Sequence, residues 1–138
     1  MTSRLRFIVA VVSGAVVAFG VTAGVETIGH TVYPVPPGLD FKNSEALADY
    51  VRQLPIGALM FVLAASAIAT FLGALLAARI ARANGARAAR VVGLMVLAAS
   101  LTNFFRIPHP IWFMAATVIV IPLASTLAGL ITVKQWRG

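Results

Sequence analysis

The chain contains no cysteine, and among its 138 residues it carries only four carboxylates and two histidines. Without thiols it forms no disulfide, no thiolate metal site and no iron–sulfur cluster of its own. Charged residues make up 11% of the sequence, where a soluble domain carries about 25%. Its two aspartates, Asp40 and Asp49, fall in one polar loop. A Ser/His/Asp arrangement therefore cannot be assembled from the apolar segments. There is no His-Glu-x-x-His, no glycine-rich nucleotide loop and no polar stretch long enough for a soluble domain. With no complete catalytic motif, the residues argue against an enzyme more than for one.

What is present is apolar. Hydrophobic residues form 60% of the chain and mean hydropathy is +0.95. A globule of this size has too little interior to hide so much apolar surface, so part of its solvent is lipid. Four runs approach the roughly 20 residues needed to cross a ~30 Å hydrocarbon layer: about 7–31, 56–78, 88–105 and 111–133. They are continuous and do not alternate as barrel strands do, and open strands would leave backbone groups unpaired in lipid. The run that begins at Phe7 is longer than a secretion-signal core of 7–15 residues, which favours a retained helix. The expected fold is an all-α membrane protein. Residues 1–138 form a single integral membrane domain, a four-transmembrane-helix bundle with a short outer amphipathic helix between the first two spans.

Orientation follows from the basic residues. Arg4, Arg6, Arg79, Arg82, Arg87, Arg90, Lys134 and Arg137 fall on one side, with no acid among them. Lys42, Arg52 and Arg106 fall on the other, together with Asp40, Glu45 and Asp49. Positive charge marks the cytoplasmic side, which places both termini inside. This distribution also explains the net charge of +7 as an orientation signal, and no nucleic-acid partner is expected. Tyr33, Tyr50 and Trp112 are the expected outer interface anchors, and Trp136 the inner one.

The first outer loop opens with Tyr33-Pro34-Val35-Pro36-Pro37-Gly38. Its prolines stop the first helix and Gly38 permits a turn. Asn43 or Ser44 is placed to cap a helix over 44–54. Leu47, Tyr50, Val51 and Leu54 repeat there at i, i+3, i+4 and i+7, with Glu45, Asp49 and Arg52 opposite. Small residues at four-residue spacing mark close helix packing: Ala65, Ala69, Gly73 and Ala77 in the second run, Gly20 and Gly24 in the first, Ser125 and Gly129 in the fourth. Such ridges serve the bundle itself, a homo-oligomer or another membrane-protein partner. Pro122 is expected to bend the fourth helix.

The residues that lipid rejects gather near the outer face. Glu26 and His30 are four apart on one helix face; Asn103 and Arg106 end the third run; His109 follows in Ile107-Pro108-His109-Pro110-Ile111-Trp112. Three chemistries fit. Glu26 can pair with Arg106, with Asn103 completing the hydrogen bonds, as intramembrane charges usually do. Glu26, His30 and His109 offer oxygen and nitrogen ligands for a divalent metal such as zinc. Glu26 can also serve a proton-coupled small-molecule transporter.

Two stretches, Val25-Glu26-Thr27-Ile28-Gly29-His30-Thr31-Val32-Tyr33-Pro34-Val35-Pro36-Pro37-Gly38 and Ile107-Pro108-His109-Pro110-Ile111-Trp112-Phe113, resemble those of a group of small four-helix bacterial membrane proteins. The resemblance implies the bacterial cytoplasmic membrane and no particular activity. The expected role is non-catalytic: a small binding protein, or an accessory or structural subunit of a membrane complex.

Overall fold

The computed structural model describes residues 2–137, and the side chains among them except at 133 and 135–137. The inner anchor expected at Trp136 and the charge at Arg137 lie outside the described side chains. Among the described residues the chain is all helix and connecting loop. Five α-helices follow in order: α1 (Ser3–Val32), α2 (Ser44–Gln53), α3 (Ile56–Ala81), α4 (Gly85–Arg106) and α5 (Ile111–Arg137), with a 3₁₀ turn at Arg82–Asn84 between α3 and α4. Three helical stretches are long and apolar enough to cross a membrane: Ser3–Val32, the continuous stretch Ile56–Arg106, and Ile111–Thr132. These are the spans of a multi-pass membrane protein.

The middle stretch is a hairpin. Arg82 takes φ 54° and ψ −111°, a left-handed conformation that non-glycine residues seldom adopt. Its N–H donates to the Ala78 carbonyl and so closes the last turn of α3. The chain then reverses so tightly that a Cβ on Gly85 would stand 2.7 Å from the Ala78 carbonyl oxygen.

The helices outrun their apolar segments. α1 begins at Ser3 because the Thr2 hydroxyl oxygen caps it, accepting from the Leu5 N–H at 3.3 Å. α3 and α4 likewise extend to Ala81 and back to Gly85. Helical hydrogen bonding does not stop where hydropathy falls. Pro55 sits at the cap of α3, one residue before the first turn, and its carbonyl accepts from the Ala58 N–H at 2.9 Å.

Small residues set the packing, though not all of those expected. Ala69 and Ala77 are fully buried, and Gly73 lies between them on the face of α3 that meets α1. On α1 the matching ridge is Ala10, Gly14 and Ala18, all buried. A Cβ on Gly14 would fall 2.6 Å from the Gly73 carbonyl oxygen and 2.8 Å from the Ala77 Cβ, so the two backbones nearly touch. Gly20 and Gly24, the pair the spacing favours, have nothing within 4 Å. They face outward because the crossing lies lower on α1 and the helix turns them away from it. The α4–α5 crossing uses Gly93 against Ser125, whose hydroxyl would collide with a Cβ at Gly93. Apolar residues such as Val16, Ile68, Leu94 and Ile119 point outward. That arrangement suits hydrocarbon and not water.

The outer loop carries the expected caps. Leu39 N–H donates to the Pro36 carbonyl at 3.3 Å, closing a turn with Pro37 at its second position and Gly38 at its third, where φ is +86°. That is the type II pattern, which needs a residue free to take positive φ. The Asn43 side-chain oxygen accepts from the Glu45 and Ala46 N–H groups at 3.0 and 3.2 Å and starts α2. The inward face of α2 consists of Ala48 and Val51, with Leu47, Tyr50 and Leu54 half-buried beside them.

Candidate functional site

A cavity of about 240 Å³ lies between the outer halves of the four long helices. α1 contributes Phe19, Thr22 and Glu26; α3 contributes Ser66; α4 contributes Ser100, Asn103 and Phe104. His109 comes from the loop after α4, and Phe113 and Thr117 from α5. Phe19 to Glu26 is seven residues, so the cavity runs about 10 Å along α1 at ~1.5 Å per residue. Phe113 and Thr117 are buried at its back. Phe19, Glu26 and Asn103 are exposed, which puts the mouth between the outer halves of α1 and α4.

The polar groups are oriented by their own backbone. Thr22 donates to the Ala18 carbonyl at 2.9 Å and Ser66 to Val62 at 2.9 Å. Ser100 donates to Val96 at 3.0 Å and Thr117 to Phe113 at 2.8 Å. In apolar surroundings an unmet hydroxyl is costly, and the carbonyl one turn back is the nearest acceptor.

His109 is the most constrained member. Its Nδ1 lies 2.6 Å from the Ile107 carbonyl oxygen. A carbonyl only accepts, so Nδ1 carries the hydrogen and, in the neutral ring, Nε2 keeps its lone pair. The ring stacks on Phe113 at 5.4 Å and 18°, and tilts against Phe104 at 5.0 Å. Burial among these rings pushes the His109 pKa down from 6.5, against a smaller upward pull from the Ile107 carbonyl. Phe113 is itself held by Leu59 and Leu63 of α3.

The outer cluster expected from sequence is divided. Glu26, Asn103 and His109 line one cavity. Arg106 does not join them. It lines a separate groove of about 530 Å³ with Glu45, Asp49 and Arg52 of α2, and with Phe105 and Pro108. Among the described residues the ion pair that forms is Arg52–Asp49 at 3.3 Å, and the expected Glu26–Arg106 pair is not made. Arg106 is the last residue of α4 and is exposed in the groove it shares with the acids of α2, where a long cationic side chain keeps its water. The metal triad is also not assembled. Among the described residues no three His, Asp or Glu side chains converge on a metal position. His30 lies exposed on α1, outside this cavity: four residues along a helix leave the two side chains about 40° apart and one turn apart in height, and only Glu26 borders the cavity.

Tyr33 and Tyr50 line a third outer cavity of about 310 Å³ with Pro34, Pro36, Leu54 and Pro55. Trp112 packs edge-on against Phe113 at 5.8 Å. Sequence reasoning did not select Phe19, Phe104 and Phe113 as lining residues, because a phenylalanine in an apolar run carries no sign of which face it takes. Any Ser or Thr in a helix can bond to its own backbone, so the convergence of Thr22, Ser66, Ser100 and Thr117 on one cavity carried no sign in the sequence.

No family model, curated protein or solved structure matches the chain. Of the resemblance to small four-helix bacterial membrane proteins, the supported part is a small helical protein with three long apolar helical stretches, with no family identified.

Proposed function

We propose that this chain is a four-span protein of the bacterial cytoplasmic membrane that binds a small ligand, without catalysing a reaction, in the chamber between its helices. The arms of the Ile56–Arg106 hairpin have 26 and 22 residues. Each is long enough for a ~30 Å layer at ~1.5 Å per residue, so the hairpin counts as two spans. Arg79, Arg82, Arg87 and Arg90 lie on and beside its turn, which supports a cytoplasmic position for it and for both termini. The mouth beside Glu26 then opens toward the outer face.

The observation that carries the reading is the convergence of Glu26, Asn103 and His109 on one cavity. Ionisable and amide groups on membrane helices are costly and mark ligand or ion sites. The same site supports a non-catalytic role. Its hydroxyls are tied to their own backbones, so none is paired with a base as an activated nucleophile requires. Exchange of a proton for the ligand at Glu26 is the route by which such a site would serve transport.

The absence of cysteine makes the test clean. Ser100→Cys in intact cells is expected to react with a membrane-impermeant maleimide added outside, as is Ser44→Cys at the start of α2. Ala83→Cys is expected to react only after permeabilisation. Labelling at Ser44→Cys with none at Ser100→Cys would remove the outward-open chamber.

A second reading, the accessory subunit, rests on the open space around Gly20 and Gly24. These glycines leave room on the outer face of α1 for a helix of another subunit. Native mass analysis after gentle extraction tests it: a lone monomer with no co-purifying protein counts against it.

A further inference from the structure

The polar lining of the chamber is built almost entirely of hydrogen-bond acceptors. Thr22, Ser66, Ser100 and Thr117 all direct their hydroxyl hydrogen into their own helix, so each presents only oxygen lone pairs to the space between. His109 has its Nδ1 hydrogen on the Ile107 carbonyl, and its Nε2 lone pair remains. Glu26 adds a carboxylate, which accepts and does not donate. Only the Asn103 amide has N–H groups not engaged with the backbone. No cation lines the space, since Arg106 stands in the neighbouring groove. A guest that is anionic, or that only accepts, finds one amide to meet it and a carboxylate to repel it. A guest rich in N–H donors finds partners around the wall.

The apolar wall adds a second requirement. Phe19, Phe104 and Phe113 line the same space, and aromatic faces attract cations and cover organic bodies. At about 240 Å³ the volume matches roughly eight waters at ~30 Å³ each, below the ~300–1,000 Å³ of drug-sized pockets. That is too large for a bare ion and fit for a compact organic one. The mouth between α1 and α4 is edged by Phe19 and Glu26 on the α1 side and Asn103 on the α4 side, an amphipathic entrance.

We infer that the ligand is a small protonated organic amine, its ammonium N–H groups shared by the Glu26 carboxylate, the His109 Nε2 and the hydroxyl oxygens, and its carbon body against the three phenylalanines. This rests on the chamber reading above and specifies what the chamber takes. A neutral His109 suits that role, since a charged ring would repel the guest.

The test uses the full chain in lipid nanodiscs at pH 7, with 2-phenylethylammonium as probe and 2-phenylethanol as its neutral counterpart. Saturating ammonium is expected to raise Tm by at least about 5 °C, with little change from the alcohol or from sodium chloride at equal ionic strength. Glu26→Gln is expected to abolish the rise. As a measurement that does not rely on that variant folding, the ammonium is expected to slow maleimide labelling of Ser100→Cys at least about tenfold, and the alcohol not to. Equal effects of ammonium and alcohol, or a full effect from sodium, would overturn the assignment. Labelling of Ser100→Cys that the ammonium leaves untouched overturns the amine while the chamber stands. Failure of Ser100→Cys to label at all overturns the chamber reading itself.

Discussion

Two opposed contacts govern the proton on His109. Burial disfavours the imidazolium, and the Ile107 carbonyl, which accepts from Nδ1, favours it less strongly, so the folded pKa lies below 6.5. The unfolded chain therefore takes up a proton at a pH where the folded chain does not yet do so. Stability is full above about 6.5 and falls as pH drops from there through the depressed folded value. Chemical denaturation across that window is expected to show this loss, and His109→Gln to flatten it. Phe113, which stacks on His109 and touches Phe104 and Trp112, is 3% exposed. Phe113→Ala is expected to cost about 3–5 kcal/mol, read as a lower melting temperature in detergent. At this scale the sequence was legible wherever a residue contradicted its surroundings: Glu26, Asn103 and His109 stand out against apolar neighbours, and they share a cavity. It was illegible where a residue agreed with them. Nothing separates Phe19 or Phe104 from the other phenylalanines until the helices are assembled. Arg106 and His30 misled for a further reason. Arg106 matched Glu26 in depth and His30 shared its helix face, but neither depth nor face alone fixes where a side chain ends.

Among the elements, the hairpin turn and the helix crossings differ in how they can be broken. Arg82 needs φ near 54° and donates its N–H to Ala78. Proline satisfies neither requirement, because its φ is fixed near −65° and it has no N–H. Arg82→Pro is expected to lose about 3 kcal/mol or more, with a reduced yield of folded protein on size-exclusion chromatography. At the α1–α3 crossing even one methyl group is too much. Gly14→Ala puts a carbon 2.6 Å from the Gly73 carbonyl oxygen, so the helices must separate, at an expected cost of about 1–3 kcal/mol. Gly20→Ala and Gly24→Ala meet nothing within 4 Å. They are expected to leave the monomer unchanged or to stabilise it by up to about 1 kcal/mol through helix propensity. A thermal-shift series over the three variants separates packing glycines from surface ones. The helices, the α2 amphipathic period and the Pro37-Gly38 turn were all readable, because each rests on local chemistry. Which glycines of α1 meet α3 was not, since Gly14, Gly20, Gly24 and Gly29 are alike in composition, and only the assembled helices set Gly14 against Gly73 and Gly29 against Phe61.

Over the whole molecule, charge and shape are arranged along one axis. Arginines surround the hairpin turn, and Arg87 stands over the Phe7 ring at 5.5 Å, joining α1 to α4 at the basic end. At the opposite end lie the acids of α2, the two outer grooves and the mouth beside Glu26. The near-contact of Gly14 with Gly73 lies closer to the basic end, and α1 meets α3 again near the outer end, at Gly29 beside the Phe61 ring and at Tyr33 beside Gly57. Glu26 stands twelve residues further along α1, about 18 Å away at ~1.5 Å per residue. Two approaches so far apart on one helix pair fix the tilt of α1, and Glu26 sits between them.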